Sequence, residues 1–288
     1  MTDFKPFAKK PQTVREAIKY STQFLINKNI TNARNEVIWF LETHLAIKKI
    51  SFYEIIDNPL SDNLYLNLKN FLNQRAQQIP FQYILKKASF YGRDFWVEKC
   101  ALIPRPESET IIEAMKKNQS YGKKLLDIGT GTGCIGITAG LEKIANKVHL
   151  IDIDSNILRL AKKNCKAHNL KKVEYYKLDI FSNIPRLKYD IIVSNPPYIP
   201  KNELGSLEDS VRLYEPMKAL TDFEDGYKFY HRYAKIFKAI MSTKAIALLE
   251  ISHSIDLKKI KNIFKEFSDI KFYNDLNGDP RVVSFVNN

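Results

Sequence analysis

Lys124-Leu125-Leu126-Asp127-Ile128-Gly129-Thr130-Gly131-Thr132-Gly133 is the stretch on which the fold turns. Its first half is a short apolar run of strand type, and its second half carries three alternate glycines, which let a backbone turn sharply and approach a ligand without Cβ clashes. A helix is expected over residues 132–141, with its first N–H groups facing whatever the loop holds. Downstream, apolar runs and helical patterns keep alternating. Strands are expected over residues 148–152, 173–178, 189–194 and 245–250, helices over 155–168 and 255–267, and two closing strands over 271–273 and 282–285. Such alternation predicts an α/β fold with a doubly wound, seven-stranded sheet.

Upstream of the sheet the period changes. Ala17, Ile18, Phe24 and Leu25, then Val37, Phe40, Leu41 and Leu45, then Leu66, Leu68, Phe71 and Leu72 recur at helical spacing until Ile79-Pro80 stops the pattern. Residues 81–103 are rich in aromatic and β-branched side chains, with Tyr91-Gly92-Arg93-Asp94 as a turn between two short strands, so a β-hairpin is expected. Three segments result: a helical domain over residues 1–78, a hairpin linker over 79–103 and the sheet domain over 104–288.

A chain of 288 residues exceeds the usual size of one domain, and 44% hydrophobic residues suffice for a substantial core. No apolar stretch approaches the roughly 20 residues needed to span a bilayer. Met1-Thr2-Asp3-Phe4-Lys5 lacks the apolar centre of a signal peptide, so a cytoplasmic protein is expected, without membrane contact. Cys100, Cys134 and Cys165 are widely spaced without any Cys-x-x-Cys, and the histidines are scattered, so neither a disulfide framework nor a metal site is expected. The net charge of +13 favours attraction to polyanions. Its basic residues nevertheless fall in dispersed pairs such as Lys9-Lys10, Lys48-Lys49, Lys86-Lys87 and Lys171-Lys172, not in a nucleic-acid-binding run.

In a doubly wound sheet ligands bind beyond the carboxyl ends of the strands, near the switch point. An acidic residue that binds ribose hydroxyls belongs at the end of the second strand, about 20 residues after the glycines. Asp152 fits that place, whereas Asp154, just before Ser155-Asn156-Ile157, suits helix capping better. At the end of the third strand Asp179-Ile180-Phe181 is either an adenine site, with the carboxylate accepting from the exocyclic amine and Ile180 over the ring, or an ordinary turn. Gly131-x-Gly133-x-x-Gly136 on its own also satisfies the dinucleotide fingerprint of nicotinamide dehydrogenases.

Two features favour a nucleoside without phosphates: Ile191-Ile192-Val193-Ser194 runs straight into Asn195-Pro196-Pro197-Tyr198, a turn with no evident role in hydride transfer, and an added strand pair stands where a second nucleotide-binding half would be. A carboxamide or aromatic amine is a poor nucleophile. A site that methylates one must accept hydrogen bonds from its two N–H groups and leave the nitrogen face open. Asn195 offers its side-chain oxygen, and Pro196, with no N–H and a fixed φ, presents a carbonyl at a rigid angle. Pro197 keeps Pro196 extended, and Tyr198 offers an aromatic face against which a flat group can stack. Asn195 and Pro196 are therefore the candidate catalytic pair, and residues 195–198 the candidate substrate site.

The glycine loop together with Asn195-Pro196-Pro197-Tyr198 resembles a class I S-adenosylmethionine-dependent methyltransferase of the amino-group type, a seven-stranded Rossmann-like fold. Three further segments are similar to those of the bacterial peptide chain release factor glutamine methyltransferases: Leu102-Ile103-Pro104-Arg105-Pro106-Glu107-Ser108-Glu109, Tyr214-Glu215-Pro216-Met217-Lys218-Ala219-Leu220 and Asp275-Leu276-Asn277-Gly278-Asp279-Pro280-Arg281. The resemblance covers nearly the whole chain. It implies S-adenosylmethionine as cofactor, held by Gly129, Thr130, Gly131, Thr132, Gly133, Asp152, Asp179, Ile180 and Asn195, with no metal. It implies the glutamine of the Gly-Gly-Gln loop of class 1 release factors as acceptor, held by Asn195, Pro196, Pro197 and Tyr198. A monomer that forms no stable nucleic-acid complex is expected.

Some members carry an aromatic residue where this chain has Ile180, so either Ile180 or Phe181 covers the adenine. Arg105 and Glu109 either close over the cofactor or form an ion pair between domains. Two other readings stand beside this one. An adenine-N6 methylase of DNA or RNA would use the same turn but needs a recognition domain or basic groove. A non-catalytic, translation-associated binding module would not need an intact turn and glycine loop.

Overall fold

A computed structural model describes residues 6–45, 54–118 and 123–288, which divide between two units, Met1–Leu85 and Lys86–Asn288. Residues 1–5 and the Lys48-Lys49 pair lie outside the described residues.

The first unit is helical. α1 (Val14–Ile26), α2 (Ala33–Leu45) and α3 (Asp62–Ala76) bury the periodic residues, among them Ala17, Leu25, Val37, Leu41, Leu68 and Phe71. Thr13 caps α1 by accepting from the Glu16 N–H, and Ser61 caps α3 by accepting from Leu64, each satisfying one of the first orphan donors of its helix. Arg75 of α3 grips Glu36 of α2 through Nε at 2.6 Å and Nη2 at 3.1 Å, and donates from Nη1 to the Ile79 carbonyl at 2.6 Å. Both side chains are almost wholly buried. Burial pushes the Glu36 carboxyl up, and the Arg75 hydrogen bonds oppose it. The sequence had placed Phe81 at the start of an extended segment, but α4 (Phe81–Leu85) is one further helical turn. Pro80 stands just before it, with its carbonyl accepting from Tyr83 and Ile84, and Phe81 is drawn into the helical core edge-on to Phe71.

The second unit opens with the hairpin β1 (Lys87–Phe90) and β2 (Arg93–Trp96), paired Phe90 to Arg93. Only Tyr91 and Gly92 form the turn, both with positive φ, 51° and 71°, as a two-residue turn that matches strand twist requires. Then follow α5 (Glu109–Lys117), β3 (Lys123–Ile128), α6 (Cys134–Leu141), β4 (Ala145–Asp152), α7 (Ser155–Ala167), β5 (Val173–Lys177) and β6 (Tyr189–Ser194). The last part holds α8 (Asp209–Tyr214), α9 (Met217–Leu220), α10 (Lys228–Ile240), β7 (Met241–Glu250), α11 (Leu257–Ile263), β8 (Ser268–Asn274) and β9 (Pro280–Val286). The expected seven-stranded sheet is present in the order β5-β4-β3-β6-β7-β9-β8, with β9 antiparallel to both its neighbours.

Helices cover both faces, which is why the central strands read as unbroken apolar runs. Leu125, Ile191, Val193 and Leu248 pack to one side with α5 and α6. Leu126, Ile192, Ala247 and Leu249 pack to the other with α10 and α11. α5 and α10 were not expected from the sequence. The helix expected over residues 255–267 is shorter, starting where Asp256 accepts from the Lys258 and Lys259 N–H groups.

Candidate active site

Chain order reverses at β3: β4 and β5 lie to one side of it, β6 and β7 to the other. The parallel pairing then fixes what meets at the carboxyl ends. Ile128 is registered with Ile151 on β4 and with Ser194 on β6, and Ser194 with Leu249 on β7. One residue further along each strand, Asp152, Gly129, Asn195 and Glu250 follow in a row. Ser194 tightens this edge by donating to the Ile128 carbonyl at 2.8 Å and meeting the Tyr233 hydroxyl at 2.9 Å.

A cavity of about 530 Å³ opens over this row, lined by the glycine loop, Asp152, residues 179–181, Asn195, Pro196 and Pro197. Gly129 and Gly131 have φ of +68° and +56°, and an added Cβ at either would meet nothing within 4 Å. Gly133 stands outside the lining: it is the N-cap of α6, and a Cβ there would press on Ile137 at 2.8 Å. Asp127 holds the loop from beneath, its Oδ2 accepting from the Thr130 hydroxyl at 2.7 Å and the Gly136 N–H at 3.1 Å. Burial pushes its carboxyl up to about 6 in spite of those bonds.

Asp152 accepts from the Gly131 N–H at 3.3 Å and from the Asp154 N–H at 3.2 Å. Burial raises its carboxyl, and those backbone bonds oppose the rise. Asp154 caps α7, accepting from Asn156 at 2.8 Å. Asp179 accepts from the Ser182 hydroxyl at 2.7 Å and the Phe181 N–H at 2.9 Å, which holds its carboxyl below the usual range. The segment forms a turn and also lines the cavity. Ile180 is buried, whereas Phe181 is more open and stands edge-on to Phe229 at 4.9 Å.

Asn195 is half-buried and donates from Nδ2 to the Ser108 Oγ at 3.1 Å. Tyr198 stands outside the lining, with its hydroxyl donating to Glu250 Oε1 at 3.0 Å. After the turn, Ile199 N–H bonds to the Leu220 carbonyl at 3.0 Å. Gly226 lies directly beneath the turn, where a Cβ would come within 2.4 Å of the Tyr198 carbonyl oxygen.

The three flanking segments converge on this turn. Glu215 accepts from the Ile103 N–H at 3.0 Å and is ion-paired with Arg105, so that pair lies inside the second unit and does not join two domains. Glu109 accepts from the Tyr91 N–H at 2.7 Å, at the hairpin turn. Asp275 accepts from Arg281 Nε and Nη2 at 3.1 Å, and Arg281 in turn lends positive charge to Glu250. Sequence reasoning quoted Ser108, Glu215 and Arg281 as motif residues without roles, and passed over Glu250. A carboxylate ending an otherwise apolar strand beside the turn was the available signal.

Among the described residues, no group of three His, Cys, Asp or Glu could hold a metal ion, and no helix is long and apolar enough to cross a membrane.

Comparison with known proteins adds kinship to this geometry. Residues 16–85 match the family described as PrmC N-terminal domain, and residues 106–207 the Methyltransferase small domain. The release factor glutamine methyltransferase of Bacillus subtilis is 31% identical over 282 residues, 94% of this chain and 97% of its own length. Those of Geobacter sulfurreducens and Clostridium acetobutylicum are 33% and 35% identical, over 76% and 81% of this chain and 76% and 82% of their own. A methyltransferase from Pyrococcus furiosus superposes with a TM-score of 0.54 at 19% identity, over 74% of this chain and 98% of that one. The 16S rRNA N2 G1207 methyltransferase of Thermus thermophilus, solved with AdoMet and guanosine, gives 0.50 at 17%, over 70% and 50%. The two structural likenesses speak to the fold alone.

Proposed function

The chain belongs to the release factor glutamine methyltransferase family, and from that membership we propose how its residues carry out the reaction. The enzyme transfers a methyl group from S-adenosylmethionine to the side-chain amide nitrogen, N5, of the glutamine in the Gly-Gly-Gln motif of class 1 peptide chain release factors.

The cavity suits the donor by its own chemistry. The glycine loop leaves space where side chains would stand, the Asp152 oxygens keep lone pairs for ribose hydroxyls after their backbone bonds, and Ile180 and Phe181 offer apolar cover at the far end. When bound there, S-adenosylmethionine supplies a methyl group on a positively charged sulfur. In this assignment Gly129, Thr130, Gly131, Thr132 and Asp152 hold the methionine and ribose side, and residues 179–181 hold the adenine. Gly133 acts one step back, setting the start of α6.

The chain's own contribution to the chemistry is orientation. Asn195 Oδ1 and the Pro196 carbonyl accept the two N–H groups of the glutamine amide, so its nitrogen presents one face to the methyl. Alignment of this kind is worth roughly 7–11 kcal/mol. The nitrogen gains a methyl and gives up one proton to water. Pro197 fixes the Pro196 carbonyl, and Tyr198 anchors the turn through Glu250. A monomer working in the cytoplasm beside its translation partner, without a lasting nucleic-acid complex, completes the reading.

The observation that carries it is the β3–β6 register, which sets Asn195 next to Gly129. Incubation with labelled S-adenosylmethionine and, separately, a class 1 release factor, a Gly-Gly-Gln peptide and nucleic acid tests it. Label on the glutamine is the expected result; label on nucleic acid alone would overturn it in favour of a base methylase.

A further inference from the structure

We propose that Ser108 is a positioning residue for this methyl transfer: its hydroxyl, oriented by Glu250, fixes the Asn195 carboxamide with Oδ1 turned toward the substrate amide. The inference rests on the reading of Asn195 given above.

An asparagine side chain donates at one end and accepts at the other, and the two ends have nearly the same shape. Only one of its two orientations is useful. Flipped, it would aim its own N–H groups at a substrate nitrogen that also bears N–H groups, and the contact would turn repulsive. Something beside Asn195 must therefore tell its two ends apart. In the structure Asn195 Nδ2 donates to Ser108 Oγ at 3.1 Å. A serine hydroxyl alone cannot enforce that choice, because it can donate as readily as it accepts.

Glu250 removes the freedom. The β6–β7 register, Ser194 with Leu249, sets Glu250 beside Asn195 at the same sheet edge, and both Ser108 and Glu250 are buried, 2% and 1% exposed. An ionised carboxylate only accepts. Its Oε1 takes the Tyr198 hydroxyl at 3.0 Å, and its buried Oε2 has no hydrogen-bond partner among the described residues, an acceptor left open. Ser108 is the nearby donor, and its hydroxyl helps hold this carboxyl down. With the Ser108 proton committed to Glu250, only Oγ lone pairs face Asn195, so the asparagine must turn its NH₂ to the serine and leave Oδ1 free. Arg281, held by Asp275, keeps positive charge near Glu250 and favours the acceptor-only form. The motif segment that contains Ser108 and the one that contains Arg281 thus bear on one atom, Asn195 Oδ1.

Ser108→Ala, Ser108→Thr, Asn195→Ala and the Ser108→Ala/Asn195→Ala double variant separate this role from a structural one, assayed with release factor and S-adenosylmethionine. Ser108→Ala is expected to lower kcat about tenfold to a hundredfold, with the S-adenosylmethionine Kd close to that of the parent. Ser108→Thr, which keeps the hydroxyl, should restore most of the rate. In the Asn195→Ala background, Ser108→Ala should cost nothing further, since the group it orients is gone. Independent losses in the double variant, or an unchanged rate in Ser108→Ala, would overturn the proposal while leaving the glutamine methyltransferase reading intact. A second measurement needs no turnover. The Asn195 side-chain amide protons should exchange slowly in nitrogen-15 NMR spectra of the parent and quickly in Ser108→Ala. Fast exchange in the parent would overturn the proposal whatever the enzyme methylates.

Discussion

Glu250 ends β7 as a carboxylate where the rest of that strand end is apolar, and its burial has a thermodynamic sign. Burial pushes it up to about 7 from the ordinary 4.5, against Ser108, Tyr198 and Arg281, with Glu107 adding to the rise; Tyr230 and Cys134 also feel its charge. For an acid whose folded pKa is raised, the stabilising contribution is fully present below pH 4.5 and is lost as pH rises through 7. The penalty above that point is on the order of 3 kcal/mol. Glu250→Gln should therefore melt higher than the parent at pH 8, with the gap closing toward pH 4.5, and scanning fluorimetry across that range checks it. Turnover should move the other way, because a neutral group in that place can donate to Ser108 and release the asparagine. Asn195→Ala tests the neighbouring step: kcat should fall about 10²–10³-fold while S-adenosylmethionine binding, read by calorimetry, stays within a few fold. Gly226 is tested by its missing atom. Gly226→Ala requires a φ of +83° from alanine and puts a methyl 2.4 Å from the Tyr198 carbonyl, so it should cost more than about 1 kcal/mol in urea denaturation and depress kcat through the displaced turn.

At the scale of elements, the strands were legible because each central one is a β-branched or aliphatic run closed by glycine, asparagine or a carboxylate. β6 was expected over the residues it occupies. The helices that were missed had visible patterns. In α10, Tyr230, Tyr233, Phe237 and Ile240 are buried at spacings of three and four, but a segment so rich in aromatic residues gives no strong local preference for helix. α4 was obscured by the same aromatic content, and it forms because Phe81 has a place in the helical core. The Glu36–Arg75 pair joining α2 to α3 could not be read from spacing, since its partners are 39 residues apart. Arg75→Ala should destabilise the first unit by about 3–5 kcal/mol, because it leaves a buried carboxylate unpaired and the Ile79 carbonyl without its donor. The replacement of both partners by apolar residues of similar volume should cost much less, and denaturant midpoints of the two variants would show the difference.

At the scale of the whole molecule, a doubly wound sheet with a helical unit ahead of it was recoverable from periodicity, and the turn at the end of β6 from four consecutive residues. What surrounds the turn was not. Ser108 and Asn195 lie 87 residues apart, and Ile103 and Glu215 lie 112 apart. Those contacts exist because strand order and register bring separate loops to one edge of the sheet, and neither quantity is written in local sequence. The same holds for Tyr198, whose ring suggested stacking on substrate but whose hydroxyl is spent on Glu250. The fold positions oxygens, and the reaction follows from where they point. A crystal structure of the enzyme with S-adenosylhomocysteine and a Gly-Gly-Gln peptide tests this most directly. The glutamine nitrogen should lie within hydrogen-bonding distance, about 3 Å, of both Asn195 Oδ1 and the Pro196 carbonyl, with its open face toward the sulfur. A glutamine amide held by other groups, or Asn195 Oδ1 turned away from it, would contradict the account.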